Sequence, residues 1–181
     1  EVKELIKGNY SEATIAKVQE ELNKAEELLK ETIVSQNMID NSIKNINDSK
    51  LALIDVSKIL EVIAEFEEMD SKNYTKNSWN DYNTSIEEAK EIIKTATTKK
   101  EVTDLLVKVN YVKANLIEVN KSELIALYEN SKSFVKEDYT EESWAVFEEA
   151  FNNAKIVIDS EDAIQTEIDS VLSSLQSAIS S

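Results

Sequence analysis

The sequence predicts an all-α protein made of tandem three-helix bundles. Three observations support this fold class. The chain of 181 residues contains one Gly and no Pro, whereas a sheet protein of this length needs many turn-forming residues. Ala, Leu, Ile, Lys and Glu dominate the sequence, and these favour helices. Apolar residues also recur at helical spacing, in a pattern that repeats along the chain.

The composition excludes several kinds of chemistry. With no His and no Cys, the chain lacks disulfides, the usual ligands of zinc, copper and haem, and the Ser-His-Asp and Cys-His triads. A formal charge of −16 repels nucleic acid and an anionic membrane surface. No stretch is apolar for the ~18 residues that a membrane helix needs. We therefore expect no cofactor, no metal, no nucleic-acid partner and no membrane insertion.

A sequence repeat organises the chain. Tyr-Thr-Lys-Asn-Ser-Trp at residues 74–79 recurs as Tyr-Thr-Glu-Glu-Ser-Trp at residues 139–144. The apolar register continues downstream, where Tyr82, Ile86 and Ile93 match Phe147, Phe151 and Ile158. A weaker copy lies upstream, with Tyr10 in place of Tyr74 and Ile15 in place of Trp79. These matches predict three repeats, at residues 1–56, 57–119 and 120–181.

Each repeat is predicted to contain three helices. The middle helix starts at a capping hydroxyl, which is Ser11, Thr75 or Thr140. The first helix is predicted at residues 59–69 and 124–135. The first repeat keeps only residues 1–7 of that helix, so we expect it to begin inside the helix.

The third helix of each repeat has its own predicted caps. Thr-Lys-Lys-Glu at residues 98–101 matches a capping box, and Ser35 occupies the same place in the first repeat. Ile164 occupies it in the third repeat and has no capping side chain. Asp162 or Ser160 is expected to act there instead.

The repeats are predicted to be joined by shared helices, because neither Gly nor Pro separates them. At ~100° per residue, one helix over residues 36–70 places the apolar side chains before and after its midpoint on opposite sides. The second junction is two residues longer and leaves two alternatives. In the first, the helix continues, and the two extra residues rotate the next bundle by ~200° about the helix axis. In the second, a new helix begins with Asn120 as cap and Glu123 in its first turn. Both alternatives predict an elongated rod.

The repeated aromatic residues invite two interpretations. Tyr74, Trp79, Tyr139 and Trp144 could stack on sugar rings. Their recurrence at apolar helical spacing instead favours packing in the bundle, and we interpret the four as a structural core signature. Adjacent acids such as those at residues 141–142 point ~100° apart on a helix. They cannot converge on a glycosidic bond, and we assign no catalytic residue.

Two further features of the sequence bear on binding. The Asp-Ser-Glu-Asp run at residues 159–162 lacks the spacing and the Gly of a calcium loop, and helix capping explains it better. Val107 and Tyr111 fall opposite the core stripe and form an exposed apolar pair. The matching Ser173 and Ser177 are polar. Val107 and Tyr111 are therefore the candidate contact with a partner.

The repeat resembles the FIVAR module. The resemblance rests on Tyr-Thr-x-x-Ser-Trp at residues 139–144, Ala-Lys at residues 154–155 and Gln-Thr-Glu-Ile at residues 165–168. It covers nearly the whole chain and is degenerate in the first repeat. It implies three-helix bundles that occur in exported, multi-modular proteins of Gram-positive bacteria, including glycoside hydrolases, hyaluronidase-like enzymes and surface adhesins. It carries no catalytic residues.

Two functions follow as expectations from this resemblance. The first is a non-catalytic spacer in a secreted or cell-wall-associated protein whose parent is a carbohydrate-active enzyme. The alternative is an adhesive repeat that binds a host matrix protein, such as fibronectin, or a bacterial surface protein. The chain itself is expected to be monomeric.

Overall fold

The computed structural model describes residues 2–180, and over that range it is helical without a β-strand. The all-α fold class is confirmed, and the helices are consistent with tandem helical bundles. The helices are α1 (Val2–Leu5), α2 (Glu12–Leu28), α3 (Gln36–Leu51), α4 (Ser57–Glu67), α5 (Lys76–Thr95), α6 (Lys99–Ala114), α7 (Ser122–Ser131), α8 (Glu141–Asp159) and α9 (Gln165–Ser180). Short 3₁₀ turns at Ser71–Asn73 and Lys136–Asp138 precede α5 and α8.

The chain folds into two compact units. The N-terminal unit comprises Glu1–Met69 and Tyr82–Ala114, and the C-terminal unit comprises Asp70–Asp81 and Asn115–Ser181. The division falls within α5, so it does not follow the three sequence repeats. The repeat boundaries at 56/57 and 119/120 stay a prediction. Of the remnant first helix, residues 2–5 form α1, and Glu1 lies outside the described residues.

Most of the predicted caps are present. The hydroxyl oxygens of Ser11, Ser35 and Thr140 each accept a hydrogen bond from the backbone N–H three residues later. These caps confirm the predicted starts of α2, α3 and α8, because each satisfies a backbone donor that the helix itself leaves open.

The capping box at the start of α6 is also complete. The Glu101 carboxylate accepts from the backbone N–H of Thr97 and of Thr98, at 2.8 Å each. The Thr98 hydroxyl accepts in return from the Glu101 N–H at 3.3 Å. The hydrogen bond from Thr97, followed by those from Thr98, holds the pKa of Glu101 below its ordinary value. This stabilisation is present above the ordinary carboxyl pKa and is lost as the pH falls through the lowered one.

The shared helix predicted over residues 36–70 is wrong. Between α3 and α4 the chain is extended and pairs with the segment ahead of α2. The Ser11 N–H donates to the Ile54 carbonyl at 2.8 Å, and the Val56 N–H donates to the Asn9 carbonyl at 2.9 Å. Ile54 and Val56 are both buried there. Extended backbone points them to one face, whereas a helix would turn them about 200° apart.

The second junction repeats this arrangement. The Thr75 N–H donates to the Ile117 carbonyl, and the Val119 N–H donates to the Asn73 carbonyl, each at 2.9 Å. These bonds flank an isolated antiparallel bridge, as they do at the first junction. Of the two alternatives, the structure shows a new helix, α7, rather than a continuous one.

A side-chain turn starts the helix after each junction. The Asp55 carboxylate accepts from the Ser57 N–H at 2.8 Å, and the Asn120 side-chain oxygen accepts from the Ser122 N–H at 2.9 Å. This two-residue turn takes the place of the capping box predicted at Asn120 and Glu123. Hydrogen bonds from the side chain and backbone of Ser57 lower the pKa of Asp55.

Each unit has its own core. In the C-terminal unit, α7, α8 and α9 enclose one cluster of buried side chains: Leu124, Phe147, Ala150, Ala154, Ala163, Ile168, Leu175 and Ala178. In the N-terminal unit, the fully buried apolar side chains include Val18, Val56, Ile59, Tyr82, Ile86 and Val109. No helix among residues 2–180 is long and apolar enough to cross a membrane.

Candidate functional site

A groove of about 630 Å³ lies in the C-terminal unit. Its walls come from the segment before α5, the first turn of α5, the segment before α7 and the loop between α8 and α9. We call it the aromatic groove. Its lining residues are Asp70, Ser71, Lys72, Asn73, Tyr74, Lys76, Trp79, Val119, Asn120, Lys121, Ser122, Ile125 and Glu161.

A stacked aromatic pair forms part of the groove wall. The ring centroids of Tyr74 and Trp79 are 5.6 Å apart, and the ring planes are inclined by 23°. Tyr74 sits in the bridge of the second junction, and the Trp79 N–H donates to the Thr75 carbonyl in the first turn of α5. Both side chains are only partly buried, so aromatic surface remains in the groove.

The matching pair in the third repeat is arranged differently. The rings of Tyr139 and Trp144 lie 5.9 Å apart and are tilted by 42°. Trp144 packs against the core cluster and contacts Phe147 at 5.3 Å between ring centroids. Tyr139 is 42% exposed, so its assignment to the core is wrong. Its place before α8 carries it to the surface, where it contacts Phe134.

Three lysines line the groove, and they are engaged to different degrees. Lys76 is paired with the Glu161 carboxylate. The Lys121 ammonium donates to the backbone carbonyls of Ile158, at 3.1 Å, and of Ser160. Burial lowers the pKa of Lys121. Lys72 is exposed, and its side chain forms no ion pair within the part of the chain that the structure describes.

The loop between α8 and α9 caps a helix of the preceding repeat. The Asp162 carboxylate accepts from the Asn77 N–H at 2.8 Å, at the start of α5. The prediction that Asp162 caps α9 is therefore wrong. At α9 the Glu167 carboxylate accepts from the Ile164 N–H at 3.0 Å, which is the half of a capping box that Ile164 allows.

The acids of this loop already have protein partners. Asp159 pairs with Lys155, Glu161 with Lys76, and Asp162 with a backbone N–H. Residues 2–180 contain no group of three acidic side chains placed to hold a metal ion. Local capping and ion pairing therefore account for the acidic run.

Asp162→Ala is expected to lower the free energy of unfolding of the C-terminal unit by about 0.5–2 kcal/mol. The Asn77 N–H would lose its acceptor at the positive end of a helix. Urea unfolding followed by tryptophan fluorescence measures the change. Asp159→Ala is the control, because it removes only an exposed ion pair and should cost less than about 0.5 kcal/mol. Equal midpoints for the two variants would contradict the capping role.

The proposed partner contact lies on α6. Val107 and Tyr111 are 66% and 71% exposed, as predicted. The matching Ser173 and Ser177 on α9 are also exposed, and the Ser177 hydroxyl donates to the Ser173 carbonyl within the helix. Exposure alone assigns no partner, so the contact role of Val107 and Tyr111 stays a prediction.

Comparisons with known proteins give a family and a relative. A family described as "FIVAR domain" matches residues 4–53, 61–116 and 121–181. The chain is also similar to the Polysaccharide lyase 8 family protein HylA of Enterococcus faecalis, with 27% identity over 192 residues. That alignment covers 99% of this chain and 14% of HylA, so the chain spans a small part of the protein it matches. No solved structure matches significantly.

Proposed function

The chain belongs to the FIVAR domain family, and from its three tandem matches we propose that it is a spacer in an extracellular, multi-modular protein. The family match confirms the resemblance found in the sequence. FIVAR is a non-catalytic module, so the chain is an ancillary region rather than an enzyme. Its similarity to 14% of a polysaccharide lyase family protein is what an ancillary region of a larger carbohydrate-active protein would give.

Contacts between successive repeats support the spacer role. In the N-terminal unit, the Ser11 hydroxyl at the start of α2 donates to the Ala96 carbonyl at 2.6 Å, in the loop between α5 and α6. In the C-terminal unit, the start of α5 meets the loop between α8 and α9 in the same way, through Asn77 and Asp162. Repeats that contact their neighbours in this way stabilise one another.

The spacer proposal is tested in the parent protein. Deleting the region should reduce activity on a polymeric substrate, because a spacer acts through the separation it provides. Replacing it with an unrelated helical repeat of equal length should restore that activity. A replacement that behaves like the deletion would show that the surface of the region matters, and the spacer proposal would fail.

The adhesive alternative draws on the exposed pair on α6. Under this alternative, the chain should bind an immobilised matrix protein such as fibronectin saturably, at micromolar concentrations or below. Val107→Asp combined with Tyr111→Ser is expected to weaken that binding by about tenfold or more, because the change removes an apolar contact and adds a charge. Surface plasmon resonance measures the effect, with Ser173→Ala plus Ser177→Ala as control. Saturable binding that the first pair of changes leaves unaltered would rule out this contact.

A further inference from the structure

We propose that the two junction bridges act as clasps, which carry tension past the pairs of helices that they enclose. The first clasp consists of residues 9–11 and 54–56, and the second consists of residues 73–75 and 117–119. The proposal rests on the spacer role, because a region anchored at both ends is exposed to tension. Clasps that open under tension let such a spacer lengthen in steps.

Each clasp closes the chain around one pair of helices. At the first clasp, the segment that enters α2 lies antiparallel to the segment that leaves α3, with Tyr10 opposite Asp55. The second clasp joins the entrance of α5 to the exit of α6 in the same way, with Tyr74 opposite Glu118. Tension that reaches one side of a clasp therefore crosses to the other side through hydrogen bonds and bypasses the two helices in between.

Side-chain hydroxyl groups reinforce the backbone hydrogen bonds of both clasps. In the first clasp the Ile54 N–H donates to Thr14 Oγ1 at 3.3 Å, and in the second the Ile117 N–H donates to Ser78 Oγ at 3.2 Å. Thr14 and Ser78 are each the third residue of their helix, α2 or α5. The same arrangement therefore recurs in two repeats that differ in sequence.

The clasps are loaded one hydrogen bond at a time. In the first clasp the chain enters at Asn9 and leaves at Val56, and the Val56 N–H donates to the Asn9 carbonyl at the outer end of the bridge. Tension that separates these two residues acts on this bond first and on the inner bonds only after it breaks. Since one hydrogen bond contributes little net stability, we expect a clasp to open before the helix pair that it encloses comes apart.

Pulling the full chain by its two ends in optical tweezers tests the proposal. An open clasp frees residues 12–53 or 76–116, and either stretch extends to about 150 Å at ~3.6 Å per residue. We expect a discrete release of this length from each clasp. Gradual extension of these residues, or their release only together with the rest of a compact unit, would overturn the proposal.

Engineered disulfides assign each release to its clasp. The chain contains no Cys, and opposing residues that are not hydrogen-bonded to each other in an antiparallel bridge lie about 4.5 Å apart between Cα atoms, which a disulfide can span. Oxidised Tyr10→Cys plus Asp55→Cys should remove one release of about 150 Å, and oxidised Tyr74→Cys plus Glu118→Cys should remove the other. Reduction should restore both. A disulfide that shortens the total extension without removing a discrete release would contradict the assignment.

A pair of hydroxyl variants tests whether the clasp sets the resistance to force. Ser78→Ala removes the acceptor of the Ile117 N–H and should raise the opening rate at constant force about fivefold, because forced unfolding follows the rate of opening. Thr98→Ala removes a cap of α6 inside the same helix pair. It should change the rate by less than about twofold, because that cap is still intact when the clasp opens. Equal acceleration by the two variants would show that the whole pair resists the force, and the proposal would fail.

The first clasp provides a second, independent comparison if either of these variants is unfolded by circular dichroism. Thr14→Val removes the acceptor of the Ile54 N–H, and Ser35→Ala removes an exposed cap of α3. Thr14→Val should speed the release of residues 12–53 about fivefold, and Ser35→Ala should not. The clasp and spacer proposals are separable, because pulling measures the chain itself and the replacement experiment measures activity of the parent protein.

Discussion

Replacing Leu175 with alanine is expected to lower the free energy of unfolding of the C-terminal unit by about 2–5 kcal/mol. The Leu175 side chain, on α9, is fully buried in the cluster that also contains Leu124 on α7 and Phe147 on α8. Close-packed surroundings collapse only partly around a shortened side chain. The variant therefore loses apolar burial and also gains a cavity.

The measurement uses the tryptophan of the same bundle. In a Trp79→Phe background, Trp144 packs against the core cluster, so its fluorescence follows the unfolding of α7, α8 and α9 in urea. Ile156→Ala is the matched control, because Ile156 on α8 is 67% exposed. Its expected effect is below about 0.5 kcal/mol. Similar losses in the two variants would contradict the assigned core.

Ser11→Ala is expected to destabilise the N-terminal unit by about 1–3 kcal/mol. Its hydroxyl is fully buried, donates to the Ala96 carbonyl and accepts from the Thr14 N–H. Ala96 is itself buried, so its carbonyl would be left without this donor away from water. The Thr14 hydroxyl, which accepts from the Ile54 N–H at 3.3 Å, would also lose a neighbour at 2.8 Å.

Hydrogen exchange locates this effect. We expect faster exchange in α2 and in the loop between α5 and α6, since both segments share the Ser11 hydroxyl. Ser35→Ala is the control: Ser35 caps α3 in an exposed position, and its loss should affect α3 by about 1 kcal/mol. Unchanged exchange in the loop between α5 and α6 of Ser11→Ala would show that this hydrogen bond does not couple the two segments.

Local signals made the helices and most of their caps predictable from sequence. Apolar residues spaced three to four positions apart locate the helices. A Ser or Thr directly before such a run locates the N-terminal cap, because its hydroxyl can accept from a backbone N–H of the first turn. The cap on α5 that comes from Asp162 was misassigned for a physical reason. Its partner, Asn77, lies 85 residues away in the sequence, and a local pattern cannot distinguish that helix end from the nearer one.

The shared helix at the first junction was predicted wrongly because the helical-wheel argument considers one helix at a time. The bridge at the first junction pairs Tyr10 with Asp55, and no helix propensity describes such a pairing. A weak signal was present. Ile-Asp-Val at residues 54–56 recurs as Ile-Glu-Val at residues 117–119, and this apolar–acidic–apolar alternation is typical of extended backbone. Two three-residue runs are too short to outweigh the absence of Gly and Pro.

The candidate groove was partly visible in the sequence. Tyr74 and Trp79 stood out through their recurrence, but their partial exposure depends on their surroundings in the fold. The lysines had no sequence signal, because Lys72 and Lys121 come together only through the bridge at the second junction. Tyr139 shows the limit of the repeat argument, since equivalent positions in two repeats differ in burial.

The bridged junctions also bear on how the chain withstands secreted proteases. A protease must bind several residues of extended backbone, and links between modules usually offer such a stretch. Here the links at residues 53–56 and 116–119 have backbone groups held by a second segment, and the first also buries Leu53, Ile54 and Val56. The connection between α2 and α3 is more open, with Leu29 85% and Ile33 86% exposed. We therefore expect proteases to cut the connection between α2 and α3 before the links between repeats.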